Sequence, residues 1–171
     1  PIWVAVRFNL LFALINIIFI VKILQERMDV ELDGLDADAP LADLLPKLLS
    51  RISAAIANTV GGWLAAGFVH GVLNTDNFNV TGESFDYGPW RFLPQFDPSL
   101  TAAYFDQTGR YAYGRQPDAA LWAVCRLADC FVKLVPQKDL ENQLRSFHSL
   151  VEAQLAKQIQ WRLGIVFDHD D

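Results

Sequence analysis

The chain has 171 residues, enough for one domain with a core of its own or for one lobe of a larger protein. Apolar residues make up 52% and aromatics 12%, which excludes a disordered chain. The formal net charge of −6 excludes the broad basic footprint of a nucleic-acid binder, although Arg110, Arg115, Arg126 and Arg145 leave room for local positive patches.

In chain order, the first feature is the apolar run FNLLFALINIIFIV, Phe8 to Val21, flanked by Arg7 and Lys22. From Ile2 to Leu24 the length suffices for a membrane span, but Arg7, Asn9 and Asn16 would then lie in lipid. A buried core element is therefore the preferred reading and a spanning or signal-like segment the alternative. The stretch that follows, QERMDVELDGLDADAP, has no small-residue cleavage pattern and reads as an acidic, exposed connection. Residues 1–40 are thus expected to form an atypical apolar segment plus linker, and residues 41–171 the main domain.

From Leu41 to Ala66, apolar residues recur at helical spacing through Leu44, Leu45, Leu48, Leu49, Ile52, Ile56, Val60 and Trp63. Pro46 marks a first turn and places the start near Ala42 to Leu45, and Gly67 is positioned to stop the helix. A polar loop follows, GFVHGVLNTDNFNVTGESFDYGPW, Gly67 to Trp90, with a short strand pair expected around Gly82. The stretches YGPWRFLPQFDP and DQTGRYAYGR read as ordered loops. Pro117 opens a helix with Leu121, Val124, Leu127, Ala128, Phe131 and Val132 on one face. A single last helix is expected from Pro136 to Gly164, carrying Leu140, Leu144, Phe147, Val151, Leu155 and Ile159. The two cysteines, Cys125 and Cys130, are five apart on a helix and are not placed for a bridge or a cysteine zinc site. The fold class expected is mainly α, with a loop-rich centre held by rigid helices.

That centre carries the chemistry. Taken singly, His70 reads as a hydrogen-bonding core residue, and Asp76, Asn77 and Asp86 read as turn formers. Taken together they change meaning. Phosphoryl-transfer enzymes of the kinase type need one carboxylate to receive a hydroxyl proton. They also need an Asn carbonyl and a second carboxylate to hold Mg²⁺ against phosphate oxygens. Here a long helix leads to His70, then to Asp76-Asn77, then to Asp86-Tyr87-Gly88, a counterpart of Asp-Phe-Gly. The pattern departs from protein kinases, because no Arg follows His70 and Asn77 directly follows Asp76. It departs from small-molecule kinases that read H-G-D-x-x-x-x-N as well, because Val72 occupies the aspartate position.

The stretches GFVHGVLNTDN, FDYGP, FLPQFDP and GRYAYGRQP, in this order, resemble the selenoprotein O (SelO/YdiU) family of protein adenylyltransferases. The resemblance covers Ala57 to about Leu134 and extends toward Gly164. It implies a protein-kinase-like fold of which this chain holds the C-lobe, the N-lobe being absent, with ATP bound in a flipped orientation. It also implies transfer of AMP to Ser, Thr or Tyr hydroxyls of proteins, with Mg²⁺ or Mn²⁺ as cofactor and ATP as substrate. By the same resemblance Asp76 is the proton acceptor, Asn77 and Asp86 are the metal ligands, Asp86 also lies close to the nucleotide, and Arg7 contacts the triphosphate. Asn9 stands where the family has glycine after Arg-Phe. No glycine-rich nucleotide loop precedes His70, and Gly61-Gly62 lies within a helix pattern. The alternatives are a non-catalytic, pseudokinase-like remnant of the family, a small-molecule kinase, and a membrane protein supported only by the N-terminal run. A cytoplasmic location is expected, or a mitochondrial one in a eukaryote. Expected partners are ATP and hydroxyl-bearing proteins, not nucleic acid or membrane.

Overall fold

The computed structural model describes residues 40–84 and 86–165, which, Pro40 apart, belong to one compact unit, Leu41–Asp171. Arg7 and the apolar run Phe8 to Val21 lie outside the described residues. The architecture is mainly helical: α1 (Leu41–Ala66), β1 (Phe68–Val69), β2 (Arg91–Phe92), α2 (Gln116–Asp129), α3 (Gln137–Leu144) and α4 (Phe147–Leu163). Short 3-10 turns occur at Thr75–Asn77 and Tyr113–Arg115. Among the described residues no helix is long and apolar enough to cross a membrane.

Helix α1 is the axis of the unit. The periodic leucines and isoleucines read from the sequence form its buried row, with Leu45, Leu49, Ile52, Ile56 and Val60 all removed from solvent. The helix starts at Leu41, earlier than the Ala42–Leu45 window, so Pro46 sits inside it. Pro46 cannot donate to the Ala42 carbonyl, and the exposed position of Ala42 lets water serve that group instead. Ser53, fully buried, satisfies its hydroxyl by donating to the Leu49 carbonyl at 2.7 Å. Gly67 ends the helix at φ +67°, a left-handed position that favours glycine.

Helix α4 packs most extensively on α1, and both α2 and α3 also lie against α1. The α1–α4 crossing is close because of Gly61. A Cβ built there would lie 2.8 Å from Gln154 Cβ and 3.0 Å from Leu155 N. Gly61 is therefore a helix-crossing residue, which agrees with placing Gly61-Gly62 in a helix rather than at a phosphate.

Three expectations are corrected. The single helix after Pro136 is two helices, broken at Arg145 and Ser146. The break redirects the chain so that Leu140 on α3 and Phe147 and Val151 on α4 are all buried. Helix α2 ends at Asp129, so Phe131 and Val132 lie beyond it; Phe131 still packs in the core, whereas Val132 is exposed. The strand pair is not around Gly82. Asn79 N donates to Glu83 O at 2.8 Å and Gly82 N to Asn79 O at 3.0 Å, closing a turn. The ribbon instead joins the two ends of the polar loop, β1 antiparallel to β2, with Phe68 opposite Phe92 and Val69 opposite Arg91. Local turn chemistry at Gly82 competes with strand pairing there and wins.

Candidate nucleotide and metal site

The β1–β2 ribbon closes the loop 68–92 at its base, so everything between is held as one unit. Beneath it Val69, Ala102 and Tyr113 form a small core with Leu64, Leu93 and Leu100 packed around it. Tyr113 crosses this core and donates its hydroxyl to the Leu64 carbonyl at 2.6 Å. Burial pushes the Tyr113 phenol above its ordinary pKa of 10.0, which keeps that donor protonated.

Gln116 fastens the ribbon to α2. Fully buried, it accepts from His70 N at 3.0 Å through Oε1 and donates through Nε2 to Phe68 O at 2.9 Å. One amide thus satisfies two main-chain groups of the strand that leads into the site. Sequence reasoning missed Gln116; the only signal was its place inside GRYAYGRQP.

His70 is fully buried and hydrogen-bonded at both ring nitrogens, as its reading as a core histidine expects. Val72 N donates to Nδ1 at 3.4 Å, which makes Nδ1 the acceptor and leaves Nε2–H to donate to Ser84 Oγ at 2.8 Å. Burial lowers the His70 pKa, and the negative charge of Asp86 opposes that shift without overcoming it. The imidazole is therefore neutral at physiological pH. Ser84, its partner, is a second residue the sequence did not single out.

Val72 links His70 to the Asp-Asn pair. Its carbonyl accepts from Asn77 Nδ2 at 2.6 Å, while its N–H is held by His70. Asn77 is buried within the 3-10 turn Thr75–Asn77, and Asn74 caps that turn by accepting from Asp76 N at 3.0 Å. With its amide nitrogen engaged, Asn77 keeps its Oδ1 for another partner. Asp76, on the same turn, is exposed.

Asp86 reaches the site through close backbone approach. A Cβ on Gly88 would stand 2.8 Å from Val72 Cγ2, and one on Gly71, at φ +89°, would stand 3.0 Å from Ala102 Cβ and 3.3 Å from Pro89 O. The His-Gly-Val and Asp-Tyr-Gly-Pro stretches therefore interlock, and only glycine fits at these contacts. The Tyr87 ring centroid lies 5.1 Å from that of His70, and Trp63 lies 5.3 Å from the same imidazole. Tyr87 thus anchors its neighbour Asp86 beside His70, close enough for the Asp86 charge to act on the ring. Next to this anchor an apolar hollow of about 470 Å³ is walled by Trp63, Phe68, Tyr87, Trp90 and Phe92.

The structure thus strings Asp86, His70, Val72 and Asn77 together. The carboxylates of Asp76 and Asp86 make no hydrogen bond or ion pair with other described residues. Among the described residues no group of three or more His, Cys, Asp and Glu side chains is arranged to hold a metal ion. The oxygen donors on offer are the Asn77 amide oxygen and the Asp86 carboxylate. A small oxygen-seeking cation fits such a pair, because Mg²⁺ commonly takes one or two protein oxygens and completes its shell with water and substrate phosphates. Cys125 and Cys130 are both free thiols, and burial raises the pKa of Cys125, which disfavours its thiolate.

Comparison with known proteins adds an independent line. Residues 22–170 match the family described as protein adenylyltransferase SelO. The chain is 44% identical over 110 residues to a protein nucleotidyltransferase YdiU of Synechocystis, covering 64% of this chain and 23% of that protein. It is 39% identical over 130 residues to the protein of the same name from Hahella chejuensis, covering 76% of this chain and 26% of the relative. A Rhodopseudomonas palustris relative, again named protein nucleotidyltransferase YdiU, is 37% identical over 145 residues, 81% of this chain and 29% of its own length. The chain therefore spans about a quarter of the length of the curated relatives it matches.

Proposed function

This chain belongs to the SelO family of protein adenylyltransferases, and from that premise we propose that it carries the catalytic loop for AMP transfer from ATP to Ser, Thr or Tyr hydroxyls of proteins, within a kinase-like C-lobe. The observation that supports this reading best is the Val72 link. It fixes Asn77 by its nitrogen and leaves the Asn77 oxygen, with the carboxylates of Asp76 and Asp86, uncommitted among the described residues.

In this reading Asn77 Oδ1 and the Asp86 carboxylate hold Mg²⁺ or Mn²⁺. When bound, the cation neutralises charge on the phosphate oxygens as pyrophosphate departs. The acceptor hydroxyl oxygen bonds to the α-phosphorus, the bond from that phosphorus to the oxygen bridging to the β-phosphate breaks, and Asp76 takes the hydroxyl proton. An exposed carboxylate at a rigid turn suits that role, since it must meet a protein substrate. Neutral His70 positions the two loops and takes no part in proton transfer. Arg7, outside the described residues, is assigned to the triphosphate.

Val72 supports this reading over a small-molecule kinase. It stands where such enzymes place their aspartate, and its side chain packs against Gly88, so it supplies packing in place of a base. The test is incubation of the chain with ATP labelled at the α or the γ phosphate, with Mg²⁺ or Mn²⁺ and a mixture of hydroxyl-bearing proteins. Protein-bound label from the α position alone, abolished by Asp86→Asn, is the expected result. Label from the γ position overturns AMP transfer, and label from neither favours the non-catalytic alternative.

A further inference from the structure

A second hollow, of about 420 Å³, opens on the other flank of the catalytic loop. Leu73, three residues before Asp76, forms one wall, and the first turns of α2 form another through Asp118 and Trp122. Arg110, Tyr111 and Arg115 complete it. No described residue from Ser84 to Phe92 lines it, whereas Tyr87, Trp90 and Phe92 line the first hollow.

Its charge is unusual for this chain. The sequence holds 20 acidic against 14 basic residues, yet neither guanidinium in the hollow has a carboxylate partner among the described residues. Among the described residues the Arg110 side chain makes no hydrogen bond or ion pair, and its guanidinium lies 5.4 Å from the Tyr111 ring centroid. Arg115 has two long contacts, to Thr108 O at 3.3 Å and Gly109 O at 3.5 Å. The neighbouring carboxylate that could have neutralised them, Asp106, is spent on main-chain groups, accepting from Arg110 N and Tyr111 N at 2.8 Å each. The one acid in the lining, Asp118, is engaged by His148 at 2.9 Å. Two guanidinium forks with spare donors lining one hollow, with half-exposed Trp122 in the same wall, match a carboxylate on a short apolar stem.

We propose that the Arg110–Arg115 hollow is the docking subsite for an acidic side chain of the acceptor polypeptide, holding it beside Asp76. The proposal rests on the AMP-transfer reading only for the identity of the acceptor, so it is tested by binding without turnover. The probes are a labelled, tyrosine-containing peptide rich in glutamate and the same peptide with glutamine at every glutamate, titrated with the full chain in the absence of ATP. The glutamate peptide is expected to bind at least about tenfold more tightly at low salt, and Arg110→Gln to weaken it about fivefold. Arg110 is the variant of choice because, among the described residues, its side chain makes no hydrogen bond or ion pair. Arg115→Lys, which keeps the charge and loses the fork, is expected to weaken the glutamate peptide alone. Asp76→Asn and Asp86→Asn are expected to leave peptide binding unchanged while removing label transfer, so the two readings fail separately. Equal binding of the two peptides, no effect of Arg110→Gln, or loss of binding in the Asp86→Asn chain overturns the proposal. So does competition by inorganic pyrophosphate that depends on Arg110, because it assigns the hollow to nucleotide phosphates.

Discussion

Asn77 donates its side-chain amide to the carbonyl of Val72 at 2.6 Å, and this bond leaves Oδ1 as the uncommitted end of the amide among the described residues. In Asn77→Asp the donor is lost and a carboxylate oxygen is set against the Val72 carbonyl. The folded state is expected to lose about 2 kcal/mol, measured by urea denaturation. A variant as stable as the parent would mean that the Val72 link does not hold the turn.

Gln116→Ala removes a buried amide that serves His70 N and Phe68 O at once. Two main-chain groups lose their partners, at a cost of about 2–4 kcal/mol in unfolding free energy. Any label transfer should fall with it, because the ribbon carrying His70 loosens. Hydrogen exchange at the His70 amide is the sharper readout and is expected to accelerate.

Gly88→Ala places a methyl group 2.8 Å from Val72 Cγ2, and a β-branched side chain has little freedom to withdraw. A loss of about 1–3 kcal/mol is expected. Val72→Ala in the same chain makes room, so the double variant should be more stable than the sum of the single ones predicts. Strict additivity would mean that the two loops do not interlock at this contact.

His70 links stability to pH. Its folded pKa is lowered from 6.5 by burial, so below pH 6.5 the unfolded chain binds a proton that the folded chain resists. The contribution is fully present above pH 6.5 and is lost as pH falls through that value toward the folded pKa. His70→Gln should flatten this part of the stability-against-pH curve, at the cost of a lower plateau. A slope below pH 6.5 that survives the substitution would assign it to other groups.

Gly61→Ala tests the helix crossing independently of the site. The new Cβ meets Gln154 Cβ at 2.8 Å and Leu155 N at 3.0 Å, and backbone cannot yield as a side-chain tip can. The expected destabilisation is about 1–3 kcal/mol in urea unfolding, although alanine is the better helix former. Gly62→Ala, whose added methyl group meets nothing within 4 Å, is the control and should be neutral or stabilising.

By itself the sequence determined the helical axis, because the row from Leu44 to Val60 repeats at one helical period and one buried face suffices to read it. It also marked the stretch proposed to bear the chemistry, because Asp76, Asn77 and Asp86 crowd two carboxylates and an amide into one short polar loop. Family membership was legible for the same reason, since its motifs are short and contiguous. The tertiary structure alone decided the rest. The strand pair lies at Phe68–Val69 and Arg91–Phe92 because pairing depends on residues more than twenty positions apart, whereas the turn at Gly82 is closed by neighbours. Gln116 reaches His70 across 46 positions, and Val72 meets Gly88 only when two loops fold together. Periodicity reports one element against an averaged interior; it carries no information about which distant polar atom a buried amide satisfies, and such bonds are what tie His70, Val72 and Gln116 together across the loop.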